Sequence, residues 1–264
     1  MSGECRLEVM NPATLDETAR EELADELKAL SDQIFIGVSR AELMAEVLTP
    51  PARRTRLQLL RDASGTLIGY CGVHLYEKRV LGRQQLILRS EAGLLPAYRG
   101  SGCTLRFGLR QTLTCRLRHP FRRLDLFCTL VHPSSYRLLA GRFAEMSPLP
   151  GRPVPPDTRA LMQGMAEAFG ECPVAWGDKG LRRVGWITRD SEHDRQAWET
   201  SEAPEVRFFL KRNPGYRQGI GLVVLVPLSW HNLLRSAWRR LRRGHSRGLG
   251  GRPSGYSKLA QTAD

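Results

Sequence analysis

The residues best suited to chemistry lie in one short run, Arg99-Gly100-Ser101-Gly102-Cys103-Thr104. An apolar stretch and a proline, Leu94-Leu95-Pro96, lead into it, and a helical pattern follows it. The first backbone N–H groups of a helix have no acceptor within the helix. Glycines let those groups approach an anion closely, and the helix dipole adds to the attraction. The turn therefore reads as a cradle for a phosphate or pyrophosphate, held mainly by backbone. Arg99 adds positive charge in this reading and is a surface turn residue in the other. An ordinary strand–turn–helix connection is the competing account of the whole segment, because glycine turns are common.

The surrounding elements must position that turn. Leu57-Gln58-Leu59-Leu60 precedes a turn signal, Asp62-Ala63-Ser64-Gly65. Thr66 to Tyr76 and Gln85-Leu86-Ile87-Leu88 are further runs rich in β formers. After the turn, Leu105, Leu109, Leu113 and Leu117 recur every four residues, which predicts a helix. A strand pattern follows at Leu124 to Val131. A helix start at His132-Pro133-Ser134-Ser135 comes next, with Tyr136, Leu138, Leu139 and Phe143 behind it. Ahead of these, Arg6 to Met10 reads as a strand. A helix spans about Asp16 to Leu30, with Asp16 as cap, and a second spans Arg40 to Leu48, stopping before Pro50-Pro51.

Strands, glycine turn, helix, strand, helix, together with the hydrophobic-x-Pro-x-Tyr lead-in of Leu94 to Tyr98, resemble the acyl-CoA-binding core of the GCN5-related N-acetyltransferase (GNAT) superfamily. The family pattern is Arg/Gln-x-x-Gly-x-Gly/Ala. Arg99 and Gly102 match it, and Thr104 stands where the pattern has a small residue. The resemblance covers roughly Cys5 to Phe143, with a return near the C-terminus. It implies an α/β (α+β) fold with a mixed, mostly antiparallel central sheet flanked by helices. It implies acyl-CoA, acetyl or longer, as co-substrate, with the pyrophosphate on Arg99, Gly100, Ser101, Gly102, Cys103 and Thr104. The backbone of Leu94 and Leu95 would bind the pantetheine arm and polarise the thioester carbonyl. The acceptor would be an amine of a small molecule, amino acid or peptide.

The acid–base roles carry over less directly. A carboxylate in the strand before the turn is a frequent family base. Glu91 is the residue there, and it reads as base or as a solvated side chain. The family's tyrosine acid aligns near Leu139, with Tyr136 one turn earlier; Tyr136 substitutes for it or packs. His132 replaces the family's common Asn at this helix entry, either as a titrating group or as a cap. Two other functions stay open. One is transfer of a long fatty acyl group from acyl carrier protein or long-chain acyl-CoA. The other is a catalytically silent GNAT fold that binds a ligand or partner.

Domain organisation follows the same reading. Residues 1–145 form the acyl-CoA-binding core. Residues 146–205 are a connector and insertion, opened by Pro148, Pro150, Pro153, Pro155 and Pro156. Within it a helix is predicted from Asp157 to Phe169 and a strand over Arg182 to Arg189; the insertion is either a lid or a surface elaboration. Residues 206–227 hold two late strands, Val206 to Leu210 and Ile220 to Val226, around an Asn213-Pro214-Gly215 turn. Residues 228–243 are a basic amphipathic helix, and 244–264 a flexible tail.

Charge and composition bound the rest. The apolar and charged fractions, 41% and 25%, are those of a globular protein. The N-terminus has no signal-peptide pattern, and Ile220 to Leu228 is too short to span a bilayer. The six cysteines have no Cys-x-x-Cys spacing, so they read as reduced thiols of a cytoplasmic protein, with no metal site. Of the net charge of +13, about half lies from Leu228 onward. There Trp230, Leu233, Leu234, Ala237, Trp238 and Leu241 fall at helical spacing among Arg235, Arg239, Arg240, Arg242 and Arg243. That helix docks on the core with a solvated basic face, or meets acyl carrier protein or an anionic membrane surface as a peripheral contact. Nucleic-acid binding is disfavoured, since no helix-turn-helix, zinc-finger or aromatic RNA-binding signature accompanies the charge.

Overall fold

The computed structural model of the protein describes residues 5–100, 102–174 and 180–248. Its spine is a seven-stranded sheet. In spatial order the strands are β1 (Arg6–Met10), β3 (Arg54–Arg61), β4 (Leu67–Val80), β5 (Arg83–Leu94), β6 (Leu124–Leu130), β9 (Ile220–Pro227) and β7 (Leu181–Arg183). All neighbours are antiparallel except β5 and β6. A parallel pair needs a crossover, and helix α3 (Cys103–Arg118) supplies it. A separate ribbon pairs β2 (Phe35–Ile36) with β8 (Ile187–Thr188). The fold is thus mixed α/β with a mostly antiparallel sheet.

Strand alternation divides the side chains between two faces. On one, Leu86, Leu88, Leu126, Leu222 and Val224 pack with Phe107 of α3, with Tyr136 of α4 (Pro133–Arg142) and with Phe209 of α7 (Pro204–Arg212). On the other, Leu57, Leu59 and Tyr70 meet Leu27, Leu30 and Ile34 of α1 (Glu17–Ile34). Further along that face, Ile87, Phe127, Val223 and Leu225 meet Leu161 and Met165 of α5 (Pro156–Ala168). The local signals act as expected. Asp16 Oδ1 accepts from the Ala19 amide at 2.8 Å to start α1. Ser39 and Glu42 form a capping box for α2 (Arg40–Leu43), which runs on into a π-helical turn, Met44–Leu48.

Two expectations are corrected. Val206 to Leu210 is not a strand but the centre of α7. Its β-forming composition is overridden by a helix-start proline, Pro204, an acid in the first turn, Glu205, and bases in the last, Lys211 and Arg212. Val206 and Phe209, three residues apart, are its buried pair. Arg182 to Arg189 is not one strand but β7 and β8, broken at Gly185, which sits at φ +87°. Within the 146–205 segment, β7 forms the sheet edge beside β9, and α5 covers one face. Its last helix, α6 (Glu192–Glu199), follows the ribbon. The proposed flexible tail lies, from residue 249 on, outside the described residues.

Three glycines bring the ribbon close to the sheet. Gly37, Gly185 and Gly219 all have positive φ. A Cβ at Gly37 would come within 2.6 Å of the Gly185 carbonyl, and one at Gly219 within 2.9 Å of the Gly185 Cα.

The C-terminal helix α8 (Trp230–Gly248) docks by its polar side. Asn232, fully buried, accepts from the Glu145 amide at 2.8 Å and donates to the carbonyls of Glu145 (2.8 Å) and Pro227 (2.7 Å). Ser236 accepts from the Ala144 amide at 2.8 Å, and Arg239 donates to the carbonyls of Ala140, Gly141 and Phe143 at the end of α4. Leu233 adds a partly buried contact to the core. Trp230, Leu234, Trp238 and Leu241 are exposed. Replacing Asn232 by Ala leaves buried backbone groups without partners, so it should cost about 2 kcal/mol, whereas Leu234→Ala should change stability by less than about 0.5 kcal/mol. Paired denaturant melts check both values.

Candidate functional site

Strands β5 and β6 part company. Their ladder holds three pairs only, Leu86↔Leu124, Ile87↔Asp125 and Leu88↔Leu126, although β5 continues to Leu94 and β6 to Leu130. Beyond Leu88, backbone groups of β5 that face β6 have no ladder partner, and the Ser90 backbone meets the Cys128 side chain instead. The Leu95 amide donates to Ile68 of β4 at 3.0 Å, so it points away from the gap. Alternation then turns the Leu94 amide toward it. Of the two residues assigned to the pantetheine arm, Leu94 has its amide on the open side and Leu95 does not.

The gap leads into the glycine turn. Pro96–Tyr98 is a single 3-10 turn, and Arg99, which is exposed, donates to the Leu94 carbonyl at 3.4 Å. Gly100 and Gly102 lie at φ +87° and +70°, with nothing within 4 Å of where a Cβ would stand. Gly102 is the N-cap of α3 and offers no side chain to the helix start. The Cys71 thiol of β4 lies 3.9 Å from the Thr104 carbonyl, holding the first turn of α3 against the sheet. Open space, backbone donors and the positive end of a 16-residue helix suit a phosphate group. Cys103 and Thr104 open that helix; Ser101 lies outside the described residues.

Glu91 projects from the same strand onto the α1/α5 face of the sheet, and sequence reasoning missed its neighbours. His74 of β4, fully buried, has Nε2 2.7 Å from Glu91 Oε2, in close electrostatic contact rather than in a linear hydrogen bond. His74 Nδ1 lies 3.0 Å from the Thr55 hydroxyl of β3. A chain of three polar side chains thus crosses three strands. Gly72 makes it possible: it pairs with Glu91 in register, and a Cβ there would come within 2.7 Å of His74 Nε2. Strand alternation puts residues 72 and 74 on one face of β4, and the β4–β5 register, which no local signal in the sequence carries, brings that face beside Glu91.

More charge surrounds this chain. Arg89 Nη2 meets Glu171 Oε1 at 2.9 Å, and Glu171 Oε2 accepts from Thr129 of β6 at 2.7 Å. The gap between β5 and β6 is therefore bridged by side chains on this face. The Arg89 guanidinium also lies over the Phe169 ring at 4.6 Å. Burial would lower its pKa, but Glu171 and Glu91 carry it up. Glu46, in the π-helical turn, feels the same cluster. Partial burial, and then the Glu91 charge, hold its carboxyl above the ordinary range.

The β2–β8 ribbon spans the end of the gap. At one side, a Cβ on Gly93 of β5 would touch Ile34 and Phe35. At the other, His132, just past β6, places Nε2 2.8 Å from Asp190 Oδ2, just past β8. His132 Nδ1 lies 2.7 Å from the Ser134 hydroxyl and accepts from the Ser134 amide, so this histidine caps α4 while it fastens the ribbon. A cavity of about 300 Å³ lies under the ribbon. Asp190 Oδ1 and Tyr216 Oη, both buried, have no hydrogen-bond partner, and their residues line that cavity.

Tyr136 is elsewhere. It is fully buried, its hydroxyl donates to the Pro148 carbonyl at 2.8 Å, and its ring stacks on Phe208. Burial pushes its pKa up, with Glu205 adding to the effect. The structure does not bring this tyrosine together with Glu91. Its hydroxyl ties α4 to the proline-rich connector.

No family model and no curated protein matches the chain. Solved structures do. The chain is similar to GCN5-related N-acetyltransferases. One match is Arabidopsis thaliana NAA60 in complex with acetyl-CoA, at 13% identity over 54% of this chain and 87% of that one, TM-score 0.38. Another is the GNAT family N-acetyltransferase YhbS from Escherichia coli in complex with CoA, at 17% identity over 54% and 70%, TM-score 0.34. A third is a GCN5-related N-acetyltransferase from Kribbella flavida, at 15% over 45% and 70%, TM-score 0.30. Likeness this slight carries no functional argument; the chain's own geometry must carry it.

Gly102→Asp puts a carboxylate at the mouth of the cradle. Asp tolerates positive φ better than most residues, so the fold should persist. Coenzyme A affinity measured by calorimetry should fall by about 100-fold, roughly 2.7 kcal/mol; unchanged affinity in the folded variant would remove the turn from the binding site.

Proposed function

We propose that this protein transfers an acyl group from a coenzyme A thioester to an amine. The observation that carries the reading is the parting of β5 from β6 directly ahead of an uncapped, glycine-flanked helix start. Such a gap offers backbone amides to an extended amide-bearing arm, and the turn offers donors to its pyrophosphate. Arg99, Gly100, Ser101, Gly102, Cys103 and Thr104 are the residues assigned to the pyrophosphate, and the Leu94 amide is assigned to the thioester carbonyl oxygen. There it would stabilise the negative charge that develops as the amine attacks.

Glu91 takes the proton that the amine loses. The new C–N bond forms, the C–S bond breaks, and the thiolate takes a proton from solvent, since Tyr136 is engaged elsewhere. His74 and Thr55 hold Glu91 in place, while Glu171 is taken up by its ion pair with Arg89, which leaves Glu91 as the carboxylate for the amine. The cavity under the ribbon receives the rest of the acceptor. Its unpartnered Asp190 and Tyr216 atoms favour an acceptor with hydrogen-bonding groups of its own.

A second reading, transfer of a longer acyl chain from long-chain acyl-CoA or acyl carrier protein, is favoured by the outward apolar stripe of α8. Turnover with acetyl- and palmitoyl-CoA separates the two. A protein that binds coenzyme A but turns over neither donor with any amine of a broad panel is a silent binder.

Glu91→Gln keeps the shape and removes the proton acceptor. It should lower kcat by about 100-fold with donor affinity unchanged. Tyr136→Phe should leave kcat alone and cost about 1 kcal/mol of stability from the lost hydrogen bond. Steady-state kinetics beside thermal melts test the pair; full turnover in the Glu91 variant would return that residue to a structural role.

A further inference from the structure

The orientation of α8 is unusual for an amphipathic helix. Docked through Asn232, Ser236 and Arg239, it turns its apolar side away from the protein. At 100° per residue, Trp230, Leu234, Trp238 and Leu241 fall opposite those anchors, in a stripe about 16 Å long. Their exposures are 37%, 67%, 55% and 64%. Exposed arginines flank it, Arg242 and Arg235 to one side, the latter also meeting Glu145 at 2.9 Å, and Arg240 to the other. The Arg242 guanidinium sits 3.5 Å over the Trp238 ring, within the stripe itself. No acidic residue occurs between Glu205 and Asp264, while the chain as a whole carries +13.

We propose that α8 lays this stripe into the interface of an anionic lipid bilayer, holding the protein at the membrane surface. Tryptophans in the stripe suit the headgroup level, leucines beside them the acyl boundary, and the flanking arginines the lipid phosphates. The charge selects among occupants. A second copy would bring its own arginines against these, and a neutral apolar partner would bring no charge opposite to theirs. Among the described residues no helix is long and apolar enough to cross a membrane, so the contact is lateral. The contact requires neither a particular acyl chain nor transfer itself.

The test uses the full chain with vesicles of phosphatidylcholine alone and with about one third phosphatidylglycerol, a content giving several anionic lipids per footprint. Sedimentation should show binding to the anionic vesicles only, weakened severalfold between low and about 0.5 M salt, where the Debye length shrinks to a few Å. Leu234→Glu with Trp238→Glu, and separately Arg240→Glu with Arg242→Glu, should each reduce binding by at least about tenfold, or 1.4 kcal/mol, with melting temperatures unchanged. Failure of the wild-type chain to bind anionic vesicles overturns the proposal, as does wild-type binding by the stripe variant. Light scattering that shows a dimer abolished by the same substitutions assigns the stripe to a second copy instead. Loss of binding to acyl carrier protein, without any vesicle binding, assigns it to that carrier.

Discussion

The stretch Arg89–Leu94 of β5 continues after its parallel neighbour has turned away, and the site is organised around that fact. Backbone N–H and C=O groups inside a protein need partners. On the β4 side they have them along the whole strand. On the β6 side the ladder stops at Leu88, and the partners found there are side chains, Cys128 for the Ser90 backbone and Arg99 for the Leu94 carbonyl, instead of a strand. The same strand then ends in a turn whose glycines keep backbone donors accessible. One departure from regular pairing therefore sets side by side the two regions to which the proposed function assigns the donor, a slot along β5 and a glycine turn, both built chiefly from backbone.

Side chains do the remaining work, on one face of the sheet only. There the alternation that elsewhere buries leucines places Thr55, His74, Glu91 and Arg89. A methyl group at residue 72 would separate His74 from Glu91, so the glycine is as necessary to the pair as either member. Glu171 and Thr129 close the opposite side of the gap. Glu171 comes from the segment between α5 and β7, so the 146–205 region contributes to the charge of the site as well as to the sheet edge.

What the sequence made legible was what is local. The glycine turn, the flanking β runs, α1, α3 and β9 depend on spacing within a few residues, and each is where the pattern placed it. Glu91 could be singled out, but His74 could not be paired with it without the β4–β5 register. Val206 to Leu210 misled because composition spoke for a strand while Pro204 and the terminal charges spoke for a helix. Tyr136 stood one turn before the expected position on α4, and its partner is the Pro148 carbonyl, twelve residues on. The orientation of α8 was hidden for a related reason. Asn232, Ser236 and Arg239 look like surface residues, and only the backbone groups they meet reveal them as anchors.

The ribbon over the gap rests on backbone alone where Gly37 and Gly219 press against Gly185. A single methyl at either outer position has nowhere to go, so it acts as a wedge. It would lift β2 and β8 from the end of β9 while leaving Glu91, His74 and the glycine turn untouched. The opening under the ribbon, to which the proposed function assigns the acceptor, is thus gauged by absent atoms, and its width is adjustable independently of the Glu91 cluster.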